Sequence, residues 1–343
     1  MIKLFGFGSN GNGQLGIGNL EDVSEPTPCQ GIPDSETVRK VTGGGNHTAL
    51  ITDSGHLYMS GFSQFGEEHM KLLSTQPEEK NKEWMIYQRR FDHTKWQDVA
   101  CGWAFTILVS ESGKLYGLGT SKWNELAGKS SKELVEIDHA QLQDIVSVAC
   151  GWRHVVALDK TGQVYGWGWG RHGQLRPAIV ASTDKKDIRS IQKIDMPQPI
   201  VQIACGHVHT LLRGKDGTVY GFGSNKYGQL GDVTSDGIIL TQSVYIDAGW
   251  HHSASLDEKG ELRLWGRNDH GQLTQQPMQN IKRVACGSEH TLSITNDKKV
   301  AAWGWNEHGN CTTEKDFVDT PVIVKQSDKI NVIGAGCATS WFG

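Results

Sequence analysis

Apolar and polar positions follow one another along this chain in short alternating runs separated by turn residues. His209-Thr210-Leu211-Leu212-Arg213 is one run, Thr218-Val219-Tyr220-Gly221-Phe222-Gly223 is another, and Lys215-Asp216-Gly217 lies between them. Such alternation predicts strands, and the β-branched and aromatic residues suit them. The Asp-Gly pair supplies the positive φ of a tight turn, so the segment predicts a hairpin. A further element follows it in the form Asn225-x-x-Gly228-Gln229-Leu230-Gly231.

The same pattern returns along almost the whole chain. VACGWAFTILVSESGKLYGLG starts at Val99, VACGWRHVVALDKTGQVYGWG at Val148, IACGHVHTLLRGKDGTVYGFG at Ile203 and VACGSEHTLSITNDKKVAAWG at Val284. Weaker copies start at Val41 and Ile246. The aligned glycines Gly44, Gly102, Gly151, Gly206, Gly249, Gly287 and Gly336 recur about every 49 residues, a period typical of propellers and arrays. The Asn-x-x-Gly-Gln-Leu-Gly element recurs from Asn10 to Gly16 and, as variants, from Asn268 to Leu273 and Asn306 to Cys311. Units of several strands repeated in this way predict propeller blades.

The chain opens with the second half of a repeat, Phe5 to Gly16, and closes with the first half, Val332 to Ser340. Pairing the two in one sheet would complete a blade and remove the exposed edges of a linear array. The expectation is therefore an all-β, seven-bladed propeller occupying residues 1–343 as one domain. Two stretches leave the pattern, 67–95 and 177–199, and are expected to be longer surface loops because the repeat resumes in phase after each.

Composition adds support and some exclusions. The 42 glycines are scattered, as many tight turns require. A net charge of −4 gives no general attraction to DNA or RNA, so direct DNA binding is not expected. No N-terminal signal region and no long apolar run is visible, which makes the cytoplasm the expected compartment, with the nucleus second. The seven cysteines are odd in number and include no Cys-x-x-Cys pair. Cys101, Cys150, Cys205 and Cys286 share one repeat position, which predicts a small buried apolar role rather than a metal site.

His47, His154, His209, His252 and His290 also share one position, Gly-x-x-His. Equivalent positions on separate blades do not converge on one ion, so a repeated hydrogen bond inside each blade is expected instead of catalysis or metal binding. The two residues between that glycine and the next strand vary: Trp103-Ala104, Trp152-Arg153, His207-Val208, Trp250-His251, Ser288-Glu289 and Cys337-Ala338. Repeat symmetry puts them on one face. Trp103, Trp152, Arg153, Trp250 and His251 are candidate partner-binding residues, since Trp and Arg at such surfaces each contribute about 2 kcal/mol or more. The other role open to the indoles is filling gaps between blades. Trp305 and His308, in Trp305-Asn306-Glu307-His308-Gly309, are further candidates for partner contact, with shaping of their loop as the alternative, whereas Trp341 is expected to pack in the closing blade.

The Gly-x-x-His-Thr, Asp-Gly-x-Val-Tyr-Gly-x-Gly and Asn-x-x-Gly-Gln-Leu-Gly strings resemble the regulator-of-chromosome-condensation repeat over nearly the whole chain. That family includes exchange factors, light sensors and scaffolds, so the resemblance implies a fold more than a function. Phe7-Gly8-Ser9-Asn10-Gly11, Val99-Ala100-Cys101-Gly102-Trp103, Trp303 to Cys311 and Gly336-Cys337-Ala338-Thr339-Ser340-Trp341 are similar to the fungal alpha-tubulin-suppressor, or killer-toxin-insensitivity, branch of the family. This closer resemblance implies a heterodimer with a small CSL-type zinc protein of diphthamide synthesis. It also implies action with Elongator in tRNA wobble-uridine modification.

No phosphate-binding loop, zinc-protease motif or nucleophile–base pair is visible, so the expectation is a binding protein without catalytic residues, metal or cofactor of its own. The alternative reading is a guanine-nucleotide exchange factor for a small GTPase. A light sensor is a third, because Gly151-Trp152-Arg153-His154-Val155 resembles the tryptophan–arginine motif of the plant ultraviolet receptor, although only one close copy is present.

Overall fold

The computed structural model describes residues 3–61, 83–175, 190–311 and 316–343. Among these residues there are seven antiparallel sheets, six of four strands and one of three. Each sheet is a blade. The innermost strands are Ile333–Ala335 in blade 1, then Val38–Gly43, Trp96–Cys101, Ile145–Cys150, Ile200–Cys205, Ser243–Ala248 and Ile281–Cys286 in blades 2 to 7. Together they surround a central channel of about 400 Å³.

The second strand of each blade lies between two strands of its own sheet and between two neighbouring blades. It is accordingly buried along its whole length in His47–Thr52, Phe105–Ser110 and His154–Asp159. Third strands such as Val219–Gly223 pair with it through the expected hairpins: Gly217 has φ of 84°, and the Thr218 N–H donates to Asp216 Oδ1 at 2.8 Å. No helix among the described residues is long and apolar enough to cross a membrane.

Blade 1 closes the ring. Its two outer strands, Phe5–Gly8 and Val23–Pro28, come from the N-terminal part of the chain, and its two inner strands, Thr339–Phe342 and Ile333–Ala335, from the C-terminal part. Phe5 pairs with Phe342 and Gly8 with Thr339 across the join. Trp341 is fully buried there, as expected for a residue of the closing blade.

Two expectations need correcting. The stretches 67–95 and 177–199 are not loops throughout, because Gln88–Arg90 and Gln192–Ile194 form the outermost strands of blades 2 and 4. Three-residue edge strands bonded on one side need little apolar patterning, which is why they escape a sequence reading. Residues 62–82 and 176–189 lie outside the described residues.

The imidazoles of the repeated histidines bond to the next blade and not within their own. His47 Nε2 reaches Thr106 Oγ1 at 2.9 Å, His154 reaches Thr210 at 3.1 Å, His209 reaches Ser253 at 3.0 Å, His252 reaches Thr291 at 3.0 Å and His290 reaches Ser340 at 2.9 Å. Every one of these hydroxyls belongs to the next blade. Side chains of a buried central strand point at the neighbouring sheets, not along their own. The hydroxyls of Thr210, Ser253 and Ser340 donate in turn to the main-chain oxygens of Gln174, Gln229 and Asn310. A hydroxyl has one proton, so these three accept from the histidine, which fixes the Nε2–H tautomer of His154, His209 and His290.

Burial holds the imidazoles neutral, with pKa values lowered to about 4 for His47 and His252 and about 3 for His154, His209 and His290. The glycine three residues earlier is required by the close fit. A Cβ on Gly206 would stand 2.0 Å from His209 Cε1 and 2.3 Å from the Gly249 carbonyl oxygen.

Candidate partner-binding face

The connection between first and second strands and the segment that leaves the third strand emerge on the same side of every blade. On this face the residues after the repeated glycines are joined by main-chain bonds. The N–H of Gly45 donates to Trp103 O at 2.9 Å, Trp103 to Trp152 at 3.2 Å, Trp152 to His207 at 3.3 Å, His207 to Trp250 at 3.2 Å and Trp250 to Ser288 at 2.9 Å. This belt satisfies backbone groups that would otherwise compete for partners, and it fixes where each side chain leaves the channel rim.

Over blades 3 to 6 those side chains are aromatic. Trp152 and His207 stack with ring centroids 4.6 Å apart, His207 and Trp250 are 5.0 Å apart, and Trp250 and Trp103 are 5.8 Å apart. Blades 3 and 6 are not neighbours, so Trp103 and Trp250 meet across the channel mouth and roof it. Outside this ring, Trp169 packs on Trp152 at 5.4 Å and on Trp123 at 5.8 Å, and Tyr227 packs on His251 at 4.7 Å. The Arg153 guanidinium lies 4.6 Å from the centre of the Trp152 ring, and that of Arg267 lies 5.2 Å from the centre of Tyr227. Trp103 is 39% exposed and Tyr227 37%, so the arc presents aromatic surface to solvent.

A polar cluster borders the arc at blades 6 and 7. His251 Nδ1 is bonded to Glu289 Oε1, Gln272 Nε2 donates to Glu289 Oε2 at 2.9 Å, and Arg267 pairs with Asp269 through Nε at 2.8 Å. Burial by itself would raise the Glu289 pKa, but the bonds and charge of His251 together with Gln272 outweigh it and lower it. His207 is pushed down to about 4, by burial first and then by the nearby His251.

Of the residues singled out from sequence, Trp103, Trp152, Arg153, Trp250 and His251 come together in this arc. Trp305 and His308 do not join it. Their rings contact each other at 5.6 Å, and His308 Nδ1 bonds Asp22 Oδ2 of blade 1 at 2.7 Å. Trp123, Trp169 and Tyr227 were not anticipated. They stand in the Asn-x-x-Gly-Gln-Leu-Gly connections and their variants, and aligning the residue just before the glycine, or before Asn124 in its place, gives Trp123, His172, Tyr227, His270 and His308, a run of rings in five copies.

No group of three or more His, Cys, Asp or Glu among the described residues is placed to hold a metal. Burial pushes the thiols of Cys101, Cys205 and Cys337 up to about 12, so they stay protonated in the channel wall.

A family model described as the RCC1-like domain matches residues 3–342. The secretion-regulating guanine nucleotide exchange factor of Bos taurus is 28% identical over 80% of this chain and 50% of its own length, so the chain spans about half of that relative. The ultraviolet-B receptor UVR8 of Arabidopsis thaliana is 32% identical over 78% of this chain and 49% of the receptor. Among solved structures, Prp20p of Saccharomyces cerevisiae superposes with a TM-score of 0.81 at 21% identity, covering 99% of this chain and 91% of that one, a likeness of fold.

Proposed function

We propose that this chain, which belongs to the RCC1-like domain family, is a non-catalytic propeller that holds one protein partner against the aromatic arc of blades 3 to 6. The observation that carries the reading is the arc itself. Indoles and imidazoles, with Arg153 and Arg267 laid on aromatic rings, form the kind of surface where binding energy concentrates.

The partner we propose is the small CSL-type zinc protein of diphthamide synthesis, and through it Elongator-dependent modification of tRNA wobble uridines, in the cytoplasm and secondarily the nucleus. What supports this choice is the resemblance carried by Trp303 to Cys311 and Gly336 to Trp341. The zinc belongs to the partner in this reading; the propeller contributes shape, aromatic surface and the His251–Glu289 pair at the edge of the contact. Titration calorimetry with the metal-loaded zinc protein is expected to show one-to-one binding, weakened by Trp103→Ala and Trp250→Ala. Two folded proteins that fail to bind would refute the pairing.

A second reading, nucleotide exchange on a small GTPase, is favoured by the name of the bovine relative. It predicts faster nucleotide release from Ran in the presence of this protein. An unchanged release rate removes it.

A further inference from the structure

The opposite face, where the hairpins lie, has a rim of its own. The second residues of the innermost strands of blades 2 to 7 stand on it: Arg39, Gln97, Val146, Val201, Val244 and Lys282. The rim is therefore apolar over blades 4 to 6 and cationic on blades 7 and 2. Val201, Val244 and Tyr245 are 42%, 38% and 38% exposed on adjacent strands, an uncommon grouping of large apolar residues in water. A groove of about 590 Å³ joins the two halves, with Val244, Tyr245 and Lys259 of blade 6 on one side and Lys282 and Arg283 of blade 7 on the other. It meets the channel mouth, because Tyr245, Val284 and Ile333 line both.

The cations here have few acids to answer them. Among the described residues Lys282 and Arg283 make no ion pair. Arg39 Nη2 donates to the carbonyls of Trp96 and Gln97, at 3.1 and 2.9 Å, and Lys298 Nζ to Ile330 O at 2.9 Å. Lys40 is neutralised by Asp98 at 2.6 Å and Lys299 by Asp297 at 2.7 Å. Of the two acids lining the groove, Asp257 is occupied by the N–H groups of Lys259 and Glu261, at 2.9 and 2.8 Å, which leaves Glu258. Desolvation, then the contact with Lys282 and the charges of Lys282 and Arg283, lower the Lys298 pKa against the opposing charge of Asp328, a sign of like charges held close. A chain with net charge −4 has thus gathered uncompensated cations beside an apolar shelf.

We propose that this rim is a second docking site, which takes an extended acidic segment of a protein, with its apolar side chains on Val201, Val244 and Tyr245 and its carboxylates on Lys282, Arg283 and Arg39. A nucleic acid would meet cations on only part of the rim, whereas an acidic segment with apolar anchors matches both halves. The site lies across the propeller from the aromatic arc, so both can be filled together, and it stands or falls independently of the arc.

The test is fluorescence anisotropy with a short fluorescein-labelled peptide of alternating Glu and Leu. Two control peptides carry Gln for Glu or Ser for Leu, and a single-stranded DNA oligonucleotide serves as a plain polyanion. The Glu-Leu peptide is expected to bind best, to lose about tenfold or more with Val244→Ser combined with Lys282→Glu, and to be unaffected by Trp103→Ala with Trp250→Ala. Both substituted rim residues are exposed, and circular dichroism checks that the variant is folded. Absence of peptide binding, or affinity indifferent to the rim substitutions, would overturn the proposal. So would DNA binding as tightly as the peptide with Val244→Ser having no effect, because the rim would then be only a cationic surface.

Discussion

One mouth of the channel is made from a single repeat position, yet its two arcs have little in common. Blades 3 to 6 place Trp103, Trp152, His207 and Trp250 there, whereas blades 7, 1 and 2 place Ser288, Cys337 and Gly45. Beneath both arcs the frame is the same. His209 is bonded to the hydroxyl of blade 6 below the aromatic side, and His290 to the hydroxyl of blade 1 below the small-residue side, at 3.0 and 2.9 Å. The frame is therefore repeated around the ring, while the aromatic surface is gathered on one side of it. The small residues also have a structural part: a Cβ on Gly45 would lie 3.1 Å from the Trp103 ring, so the bare backbone of blade 2 leaves space for that indole.

The strongest way to break this comparison is to damage the frame on both sides. Gly206→Ala and Gly287→Ala would bring a Cβ to 2.0 and 2.1 Å from the Cε1 atoms of His209 and His290. Each is expected to cost about 3 kcal/mol by urea unfolding, and by similar amounts. A large cost on one side only would mean that the frames differ as well as the surfaces.

Acid tests the histidines of both arcs at once. Their folded pKa values of about 3 to 4 lie below the ordinary 6.5, so the unfolded chain takes up protons first as pH falls. Their neutral form supports the fold fully above about pH 6.5, and that support is lost progressively as pH drops towards about 3. Urea midpoints measured across this window should fall steeply in the parent protein and less steeply in His209→Gln. An equal slope in the variant would remove His209 from the account.

The surface difference is sharpened by binding. Trp103→Ala is expected to weaken partner affinity by about 2 kcal/mol in calorimetry, whereas Ser288→Ala leaves it unchanged. Equal effects would erase the distinction between arcs. The smallest expected change is for His308→Ala, which removes an exposed bond to Asp22 and should alter thermal stability by only about 0.5 kcal/mol. Loss of partner affinity comparable to that of Trp103→Ala would extend the interface to blade 7.

The ring and its closure were readable because the repeat leaves glycines, turns and half-repeats at matching intervals. The aim of the histidines was not, since alignment says that His47 and His154 are equivalent but not which sheet each one faces. Grouping of Trp103 with Trp250 was within reach only as a shared face. Their contact across the mouth depends on ring diameter, which no spacing along the chain encodes. Trp123 and Tyr227 were overlooked because their connection looked like repeated turn chemistry, where the asparagine and glycine do shape the backbone while the intervening position is free to vary. Trp305 and His308 show the reverse: an unusual local string whose rings pack on each other, with His308 bonded to blade 1.

The join in blade 1 also sets an order of events. Phe5–Gly8 leaves the ribosome long before its partner Thr339–Phe342. Blades 2 to 7 can assemble one after another during synthesis, each laid on the one before. The first strand meanwhile has no mate, so the circle closes as a late, long-range step after translation has passed Phe342. A nascent chain stopped short of that point would carry an unlatched sheet edge at each end, and the finished protein would carry neither.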